Sequence, residues 1–334
     1  MHYLDHAATT PVPAAVAAVM TEVLTQSYGN PSAQYALGRQ ARDLVERSRG
    51  TIARALACRP EQVVFTSCGT EGDNWAIRAA LYQNRRVGKH IITTAAEHSA
   101  VLQCLKKLEQ EGYAVTYLKP DGMGRIAPRQ VEDALRADTA LVSVMLVNNE
   151  TGVRFPVEEI AALLKNRDTL LHTDAVQGFL KLPFTAQSLG ADYITLSAHK
   201  IGGPKGTGAL YTGGRIKNVQ PMFYGGGQEA GLRPGTEPTA QIAGFAKAVE
   251  LRMETLEETR RHLAACRAYA LERLGAIPDL QTVGAGDAPH ILSVSLPGYP
   301  SQNIVSELSE KDICISAGSA CHRGRASHVL TAMG

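Results

Sequence analysis

The sequence predicts an α/β fold in which a largely parallel sheet is wrapped by helices. Between residues 60 and 212, short apolar runs rich in β-branched residues alternate with amphipathic stretches, which is typical of strands joined by helical crossovers. The 334 residues, 44% of them hydrophobic, are enough for one large buried core and a smaller second one. After residues 225–236 the glycine-rich turns give way to a long, charge-rich helical pattern, which indicates a boundary between two lobes.

The strands of the predicted sheet are apolar runs with the length of buried strands. They cover residues 63–65, 90–94, 115–118, 141–147, 169–172 and 193–196. Apolar residues at helical spacing predict a helix over residues 36–57, which Pro60 terminates. The pattern of the second lobe predicts one or two long helices over 239–274, a strand at 291–296, a helix at 302–309 and an apolar stretch at 313–315.

The charge and cysteine content argue against several classes of function. A net charge of +2 without a long basic block does not favour binding to nucleic acid or to an anionic membrane. The longest apolar run, residues 141–147, is too short to span a bilayer, and Asp5 and His6 stand where a signal peptide would begin, so a cytoplasmic protein is predicted. The six cysteines include no Cys-x-x-Cys pair, so no metal site or disulfide framework is predicted, and most are expected to be buried structural thiols.

Lys200 places an amine at the carboxyl end of the last strand predicted for the large sheet. It ends the run Ser197, Ala198, His199, Lys200, directly after the strand at 193–196. Open α/β sheets keep their chemistry at this edge, and an amine held there can form a Schiff base with an aldehyde cofactor. A solvated surface lysine is the alternative for this residue taken alone.

Polar residues also follow the other strands. The turn at 66–71 offers backbone N–H groups and a hydroxyl to a phosphate, or is an ordinary helix start. His98 can stack on a flat ring or be a structural histidine, and the amides at 148–150 can hold an oxygen or form a turn. Asp174 can keep a ring nitrogen protonated or cap a helix, and Gln177 can donate to a ring hydroxyl.

The order of these residues favours the functional interpretation. Successive strands of the sheet are followed by groups with different chemical roles: a phosphate-binding turn, an aromatic ring, an amide, an acid and an amine. Such a series rarely arises by chance. The glycine-rich residues 202–208 are consistent with a tight turn beside the amine. The residues therefore predict a site for pyridoxal phosphate.

Along its whole length the chain resembles the cysteine desulfurases, which belong to the class V group of the fold type I pyridoxal-phosphate enzymes. The resemblance lies in residues 3–11, 29–32, 66–74, 97–98, 148–152, 174–177, 197–200 and 225–229. It implies a mostly parallel seven-stranded sheet wrapped by helices, with a large cofactor-binding domain over residues 14–245. Residues 1–13 and 246–334 are expected to form a smaller α+β domain that carries a catalytic cysteine loop and is C-terminally truncated relative to the family.

The same resemblance implies a role for each site residue, in a homodimer whose sites lie at the subunit interface. The residues at the ring are Lys200 as the Schiff-base lysine and base, His98 stacked on the ring, Asp174 at the ring nitrogen, and Gln177 and Asn149 at the ring oxygen and nearby groups. The residues at the phosphate are Gly69, Thr70, Ser197 and His199, joined by Thr236, which resembles the residue that reaches the partner subunit's phosphate.

Cys321 resembles the sulfur-accepting cysteine of the subgroup that supplies iron–sulfur cluster assembly. In that family the thiol attacks the sulfur of L-cysteine, leaves L-alanine and carries a persulfide to an iron–sulfur scaffold or a tRNA-thiolation protein. Small residues before Cys321 and basic residues after it favour an exposed thiolate on a loop, and a buried inert thiol is the alternative.

Two departures from the family set the remaining expectations. The stretch between Cys321 and the helix that follows it is shorter and more basic than in the best-known members, and the sequence stops at Gly334, before the arginine that clamps the substrate carboxylate. We therefore expect the chain to bind pyridoxal phosphate but to turn over cysteine poorly. The alternatives are another class V enzyme, such as an aminotransferase or a selenocysteine lyase, and a catalytically impaired regulatory homologue.

Overall fold

The structure is a computed structural model that describes residues 1–318 and 327–334. Its strands are β1 (His2–Tyr3), β2 (Val63–Thr66), β3 (His90–Thr94), β4 (Ala114–Leu118), β5 (Thr139–Ser143), β6 (Leu170–Asp174), β7 (Tyr193–Ser197), β8 (Gly208–Thr212), β9 (Gln281–Thr282), β10 (Val294–Ser295) and β11 (Ile313–Cys314). Its helices are α1 (Ala14–Thr25), α2 (Ala36–Leu56), α3 (Gly69–Gln83), α4 (Ser99–Gln110), α5 (Pro128–Ala134), α6 (Val157–Leu164), α7 (Ala186–Leu189), α8 (Thr239–Leu274), α9 (Ser301–Ser309) and α10 (His328–Met333).

The central sheet has seven strands in the order β2, β8, β7, β6, β5, β3, β4. The strands from β7 to β4 pair in parallel, whereas β8 pairs antiparallel with both β7 and β2. The predicted seven-stranded, mostly parallel sheet is confirmed. The carboxyl ends of β3, β5, β6 and β7 lie at one edge, so the residues that follow these strands share one face of the molecule.

Successive side chains of the central strands enter two different apolar cores. Ile91 and Leu141 pack into the cluster around Trp75, whereas Ile92 and Val142 pack into the larger cluster on the other face of the sheet. This alternation follows from the two-residue period of a strand, and helices cover both faces. A sheet buried on both sides gives the edge residues a rigid base.

Two predicted strands differ from the structure. In the run at 141–147, β5 ends at Ser143, but Val144 and Leu146 still donate to the backbone oxygens of His172 and Asp174 on β6 at 3.1 and 2.8 Å. Val144–Val147 are buried, which explains why this stretch is apolar. The run at 291–296 contributes only β10, with Ile291 buried and Val294 exposed. The helical pattern over 239–274 is one continuous helix, α8.

The glycine-rich segment 225–237 is fixed to the sheet by a buried ion pair. Glu229 adopts a left-handed backbone conformation with φ of 48°, and its two carboxylate oxygens accept from the Arg49 guanidinium at 2.7 Å each. One of these oxygens also accepts from the Phe65 backbone N–H at 2.8 Å. A strained backbone persists only where its surroundings hold it, and this bidentate pair supplies that restraint.

The amino-terminal residues join the carboxyl-terminal part of the chain. Strand β1 pairs in parallel with β11, with His2 opposite Ile313 and Tyr3 opposite Cys314. This pairing is consistent with the expected grouping of residues 1–13 with residues 246–334. The division into a large and a small domain stays a prediction.

Two expectations from the composition can be compared with the described residues. No helix within residues 1–318 and 327–334 is long and apolar enough to cross a bilayer. The expectation that most cysteines are buried was wrong for the described ones: Cys104 is buried, Cys266 is exposed, and Cys58, Cys68 and Cys314 are half-buried.

Candidate active site

The predicted site residues meet in one cavity of about 260 Å³ at the carboxyl edge of the sheet. Those that line it are Gly69, Thr70, His98, Asn149, Asp174, Gln177, Ser197, His199 and Lys200. The strands bring them together although they are spread over more than a hundred residues of sequence. The remaining walls come from the amino-terminal segment, from the carboxyl-terminal part of the chain, and from Cys68, Asp73, Met145, Val147 and Val176.

The first turn of α3 forms the anion-binding end of the cavity. The helix begins at Gly69, so backbone N–H groups of its first turn have no partner within the helix. A Cβ atom at Gly69 would lie 3.0 Å from Val176 Cγ2, which leaves little room for a larger residue. Ser197 lies beside Gly69, with its Cβ 3.9 Å from the same Cβ position, and its Oγ is buried and has no hydrogen-bond partner among the described residues. These donors suit a phosphate.

His98 is a structural residue that also lines the cavity. It is the N-cap of α4, where its Nδ1 accepts from the Ala100 N–H at 3.1 Å, and its ring also lines the cavity. Because Nδ1 accepts, the neutral ring carries its proton on Nε2. The cap fixes the orientation of the ring, which can then cover a flat ligand.

Two buried carboxyl groups, Asp73 and Asp174, also line the cavity. Asp174 closes β6 and accepts from the Val176 N–H at 2.9 Å, and Asp73 on α3 has its Oδ1 3.5 Å from His172 Nε2. Ligand atoms of Asp73, His98 and Asp174 all lie within 4.8 Å of one another. Burial, followed by the mutual repulsion of the two acids, raises the pKa of Asp174 to about 7.

Such a cluster is completed by a cation. A protonated ring nitrogen or a metal ion could supply the missing positive charge, and the donor types alone allow both. Among the described neighbours, His172 is completely buried, and burial lowers its pKa to about 4, so it is neutral and does not supply that charge. The site therefore favours a ligand that brings a positive charge to Asp174.

Lys200 is held by the amino-terminal segment. The amine follows β7 in a short 3-10 turn, and its Nζ donates to the backbone oxygens of Ala7 and Ala8 at 2.6 and 2.7 Å. The neighbouring His199 is tied to the same segment through Nδ1 and Thr9 Oγ1 at 3.1 Å. Burial and the nearby Lys200 lower the pKa of His199 to about 4, so this ring is neutral at physiological pH.

The two adjacent asparagines have different tasks. Asn148 is structural: its Nδ2 donates to Ala96 O at 2.8 Å, and its Oδ1 accepts from the backbone N–H groups of Glu150 and Thr151. Asn149 lines the cavity. The turn that Asn148 builds thus presents the side chain of Asn149 to the site.

The outcome differs for two other predicted residues, Thr236 and Cys321. Thr236 is exposed and does not line the cavity of its own chain. Cys321 lies outside the described residues. The described chain before it does reach the site, because Ser316 and Gly318 line the cavity and Ser316 Oγ donates to Asp5 Oδ1 at 2.9 Å.

The structure also adds residues that the sequence reasoning missed. Asp73 lies one helical turn after Gly69 and Thr70, so helical spacing could have placed it in the site. Ala7 and Ala8 act through main-chain oxygens, which leave no trace in residue type. Lys181, whose ammonium contacts Gln177, resembles an ordinary surface lysine in sequence.

The raised pKa of Asp174 gives a prediction for the cofactor-free protein. Its folded-state pKa of about 7 lies above the unfolded value, so its contribution to stability is present at low pH and is lost as the pH rises through about 7. Asp174→Asn removes this ionisation. We expect the variant to be more stable than the parent by about 1–3 kcal/mol at pH 8 and little changed at pH 5.

Thermal unfolding of both cofactor-free proteins at the two pH values measures this effect. Asp43→Asn, an exposed position on α2, is the matched control and should change neither value. Equal stability of Asp174→Asn and the parent at pH 8 would contradict the assignment of a buried, poorly compensated carboxyl group.

Comparison with known proteins gives one consistent result. The family model described as "Aminotransferase class-V" matches residues 2–333. The chain is 40% identical to a "Putative cysteine desulfurase IscS 1" of Bacillus subtilis (strain 168), over 99% of this chain and 88% of that protein. It is 39% identical to "Cysteine desulfurase IscS" of Methanosarcina thermophila, over 99% of this chain and 83% of that protein.

Solved structures agree with these sequence matches. A "NIFS-LIKE PROTEIN" superposes with a TM-score of 0.93 at 35% identity and covers 99% of this chain and 89% of its own. The structure titled "SspA in complex with cysteine" has a TM-score of 0.85 at 35% identity, with 100% of this chain and 94% of that chain covered.

Proposed function

This chain belongs to the aminotransferase class V family and, within it, to the cysteine desulfurases, and we propose that it removes sulfur from L-cysteine with pyridoxal phosphate as cofactor. Members of this family are pyridoxal-phosphate enzymes. The products are L-alanine and a persulfide on Cys321. The solved relative that contains cysteine supports this choice of substrate.

The observation that carries the proposal is the fit between the cavity and this cofactor. One wall offers the helix start at Gly69 and the unpartnered hydroxyl of Ser197, which suit a phosphate. The buried Asp174 carboxyl group, whose ionised form a cation would stabilise, suits a protonated ring nitrogen, and Lys200 offers the amine for an aldehyde. A simple metabolite anion would not need a phosphate site, an acid and an amine together.

Bound pyridoxal phosphate supplies an electron sink that weakens the bonds at the substrate's α-carbon. Around it, Asp174 holds the proton on the ring nitrogen, and His98 covers the ring from a fixed orientation. Gly69, Thr70, Ser197 and His199 bind the phosphate. Asn149 and Gln177 orient the ring oxygen and the substrate carboxylate.

Lys200 moves the protons of the reaction. Its Nζ takes the proton from the substrate's α-carbon, delivers a proton to the β-carbon after the carbon–sulfur bond has broken, and returns one to the α-carbon to complete alanine. The second proton is the one that the substrate thiol loses. The carbonyl oxygens of Ala7 and Ala8, which hold Nζ in the structure, keep the amine beside the cavity between these transfers. The amino-terminal segment also covers this wall and limits the access of water.

Cys321 accepts the sulfur. A bond forms between its Sγ and the substrate's sulfur as the bond between that sulfur and the substrate's β-carbon breaks, and the β-carbon gains a proton to complete alanine. The bonding electrons stay with the β-carbon, so the enzyme thiol and the substrate thiol together become one persulfide, and no external oxidant or reductant is needed. A thiolate is the required form of Cys321.

Several finer points belong to the same proposal. We place Thr236 on the partner subunit's phosphate in a homodimer, which its exposed position supports. An iron–sulfur scaffold or a tRNA-thiolation protein takes the sulfur. The domain division, cytoplasmic location and slow turnover expected from the sequence stay predictions.

The deciding experiment is incubation of the purified holoprotein with L-cysteine. We expect alanine and sulfide in equal amounts when a reductant is present, and a mass increase of one sulfur on the Cys321 peptide when it is absent. A keto acid formed from an amino donor would instead identify an aminotransferase. Reaction with selenocysteine alone would identify a lyase for that substrate, and neither result is compatible with the proposal.

A further inference from the structure

Lys181 lies behind the cavity, four residues after Gln177, in the turns that follow β6. Its Nζ donates to Gln177 Oε1 at 2.9 Å. The charged and titratable groups that act on it come from other parts of the fold and are Lys200, Arg252, His6 and His290. None of the roles assigned above uses this lysine.

A continuous series of hydrogen bonds connects Lys181 to the reactive amine. Gln177 accepts from Lys181 through Oε1 and donates through Nε2 to Ala7 O at 2.8 Å. The same carbonyl oxygen accepts from Lys200 Nζ at 2.6 Å. Gln177 is 4% exposed and lines the cavity, so its amide is the link between the buried lysine and the site.

The neighbours of Gln177 permit one orientation of its amide. The carbonyl oxygen of Ala7 can only accept, so Nε2 must face Ala7, and Oε1 then faces Lys181, whose Nζ donates to it at 2.9 Å. If the amide were rotated by half a turn, Nε2 would face Lys181 Nζ and Oε1 would face Ala7 O. Both hydrogen bonds would be lost in a buried position, which is unfavourable.

We propose that Lys181 is a positioning residue that keeps the Nε2 donor of Gln177 directed toward the cavity, where it meets an oxygen of the bound cofactor. This inference rests on the proposed function. If the Gln177 amide were in the opposite orientation, its Oε1 would face the cofactor oxygen. Two acceptors would then meet, and cofactor binding would be weaker. Lys181 acts on the cofactor through Gln177 and does not touch it.

A second explanation must be separated from this one. Lys181 is a second basic group close to Lys200, and burial together with Lys200 and Arg252 lowers the pKa of Lys181. Removing Lys181 could therefore act on Lys200 directly, without Gln177. The two explanations differ in whether Gln177 must be present.

A double-mutant cycle distinguishes them. Cofactor-free parent, Lys181→Met, Gln177→Ala and the double variant are titrated with pyridoxal phosphate, and quenching of the single tryptophan, Trp75 on α3, gives the dissociation constant. The absorption maximum of each loaded protein is recorded as well. Lys165→Met, at the end of α6, is the matched control, and thermal unfolding verifies that each variant folds.

We expect Lys181→Met to weaken binding about tenfold in the parent, the equivalent of one hydrogen bond to a charged group, and to shift the absorption maximum. In the Gln177→Ala background the same change should have no further effect. Lys181→Arg, which can also only donate, should restore the parent value within about threefold.

Equal weakening by Lys181→Met in both backgrounds would overturn the inference, because the lysine would then act without Gln177. No weakening in the parent, or failure of Lys181→Arg to restore affinity, would overturn it as well. Failure of the parent itself to bind pyridoxal phosphate would instead contradict the proposed function.

Discussion

Replacing Lys200 by alanine is expected to abolish sulfur release almost completely, with a loss of about 10³-fold or more in the rate of alanine formation from L-cysteine. The expected loss of rate is large because one atom, Nζ of Lys200, has two tasks. Nζ both joins the cofactor to the protein and carries the protons at the substrate's α- and β-carbons. No second amine among the described residues lines the cavity, so neither task has a substitute.

The measurement for Lys200→Ala has two parts. Alanine formation gives the rate, and borohydride reduction followed by mass spectrometry shows whether the cofactor becomes attached to the peptide that contains residue 200. We expect attachment in the parent and none in the variant. Because the phosphate and ring contacts remain, the variant should still bind the cofactor reversibly.

Lys119→Ala, which removes an exposed lysine after β4, is the control and should leave the rate and the attachment unchanged. If Lys200→Ala kept the parent rate, or if borohydride attached the cofactor to a different lysine in the parent, the assignment of the reactive amine would be wrong. The first result would also remove the basis for the proton transfers assigned to Nζ.

The sequence predicts the central sheet well because strand burial controls residue type. A strand covered on both faces must be apolar throughout, and the runs at 90–94 and 193–196 have that character. Strand β8 was not predicted, because the glycine-rich stretch before it looks like a loop. Its antiparallel pairing between β2 and β7 depends on contacts distant in sequence.

The predicted site residues that meet in the cavity share one property. Each follows a strand of the same sheet, and parallel topology alone brings such positions to one edge. Lys200 and Asp174 could be found in this way because a strand end and a chemically suitable side chain coincide.

The amino-terminal wall could not be found by the same reasoning. Ala7 contributes a backbone oxygen, and its partner Lys200 lies 193 positions away in sequence. The pairing of β1 with β11 and the contacts of Thr9 and Thr10 with His199, all distant in sequence, help to bring this segment over the amine. Lys181 was missed for a related reason, because its importance depends on the orientation of another side chain.

Cys321→Ser is the second change for which we expect a very large effect. A serine oxygen cannot accept sulfur from the substrate, so the persulfide should disappear and alanine formation should fall by about 10²-fold or more. Cofactor affinity and the visible absorption of the loaded protein should stay at the parent values, because no assigned cofactor contact involves this residue. A loss of catalysis with an intact cofactor site separates sulfur transfer from cofactor binding.

The matched control is Cys266→Ser, which changes an exposed cysteine on α8 and should keep the parent rate. The assay follows alanine, sulfide and the mass of the peptide that contains residue 321. Parent-level alanine formation in Cys321→Ser would show that sulfur leaves without an enzyme thiol at this position. An aminotransferase would instead form a keto acid, and this activity would survive Cys321→Ser, because its chemistry ends at the substrate's amino group and does not use a sulfur acceptor. A desulfurase needs a nucleophile for the substrate's sulfur.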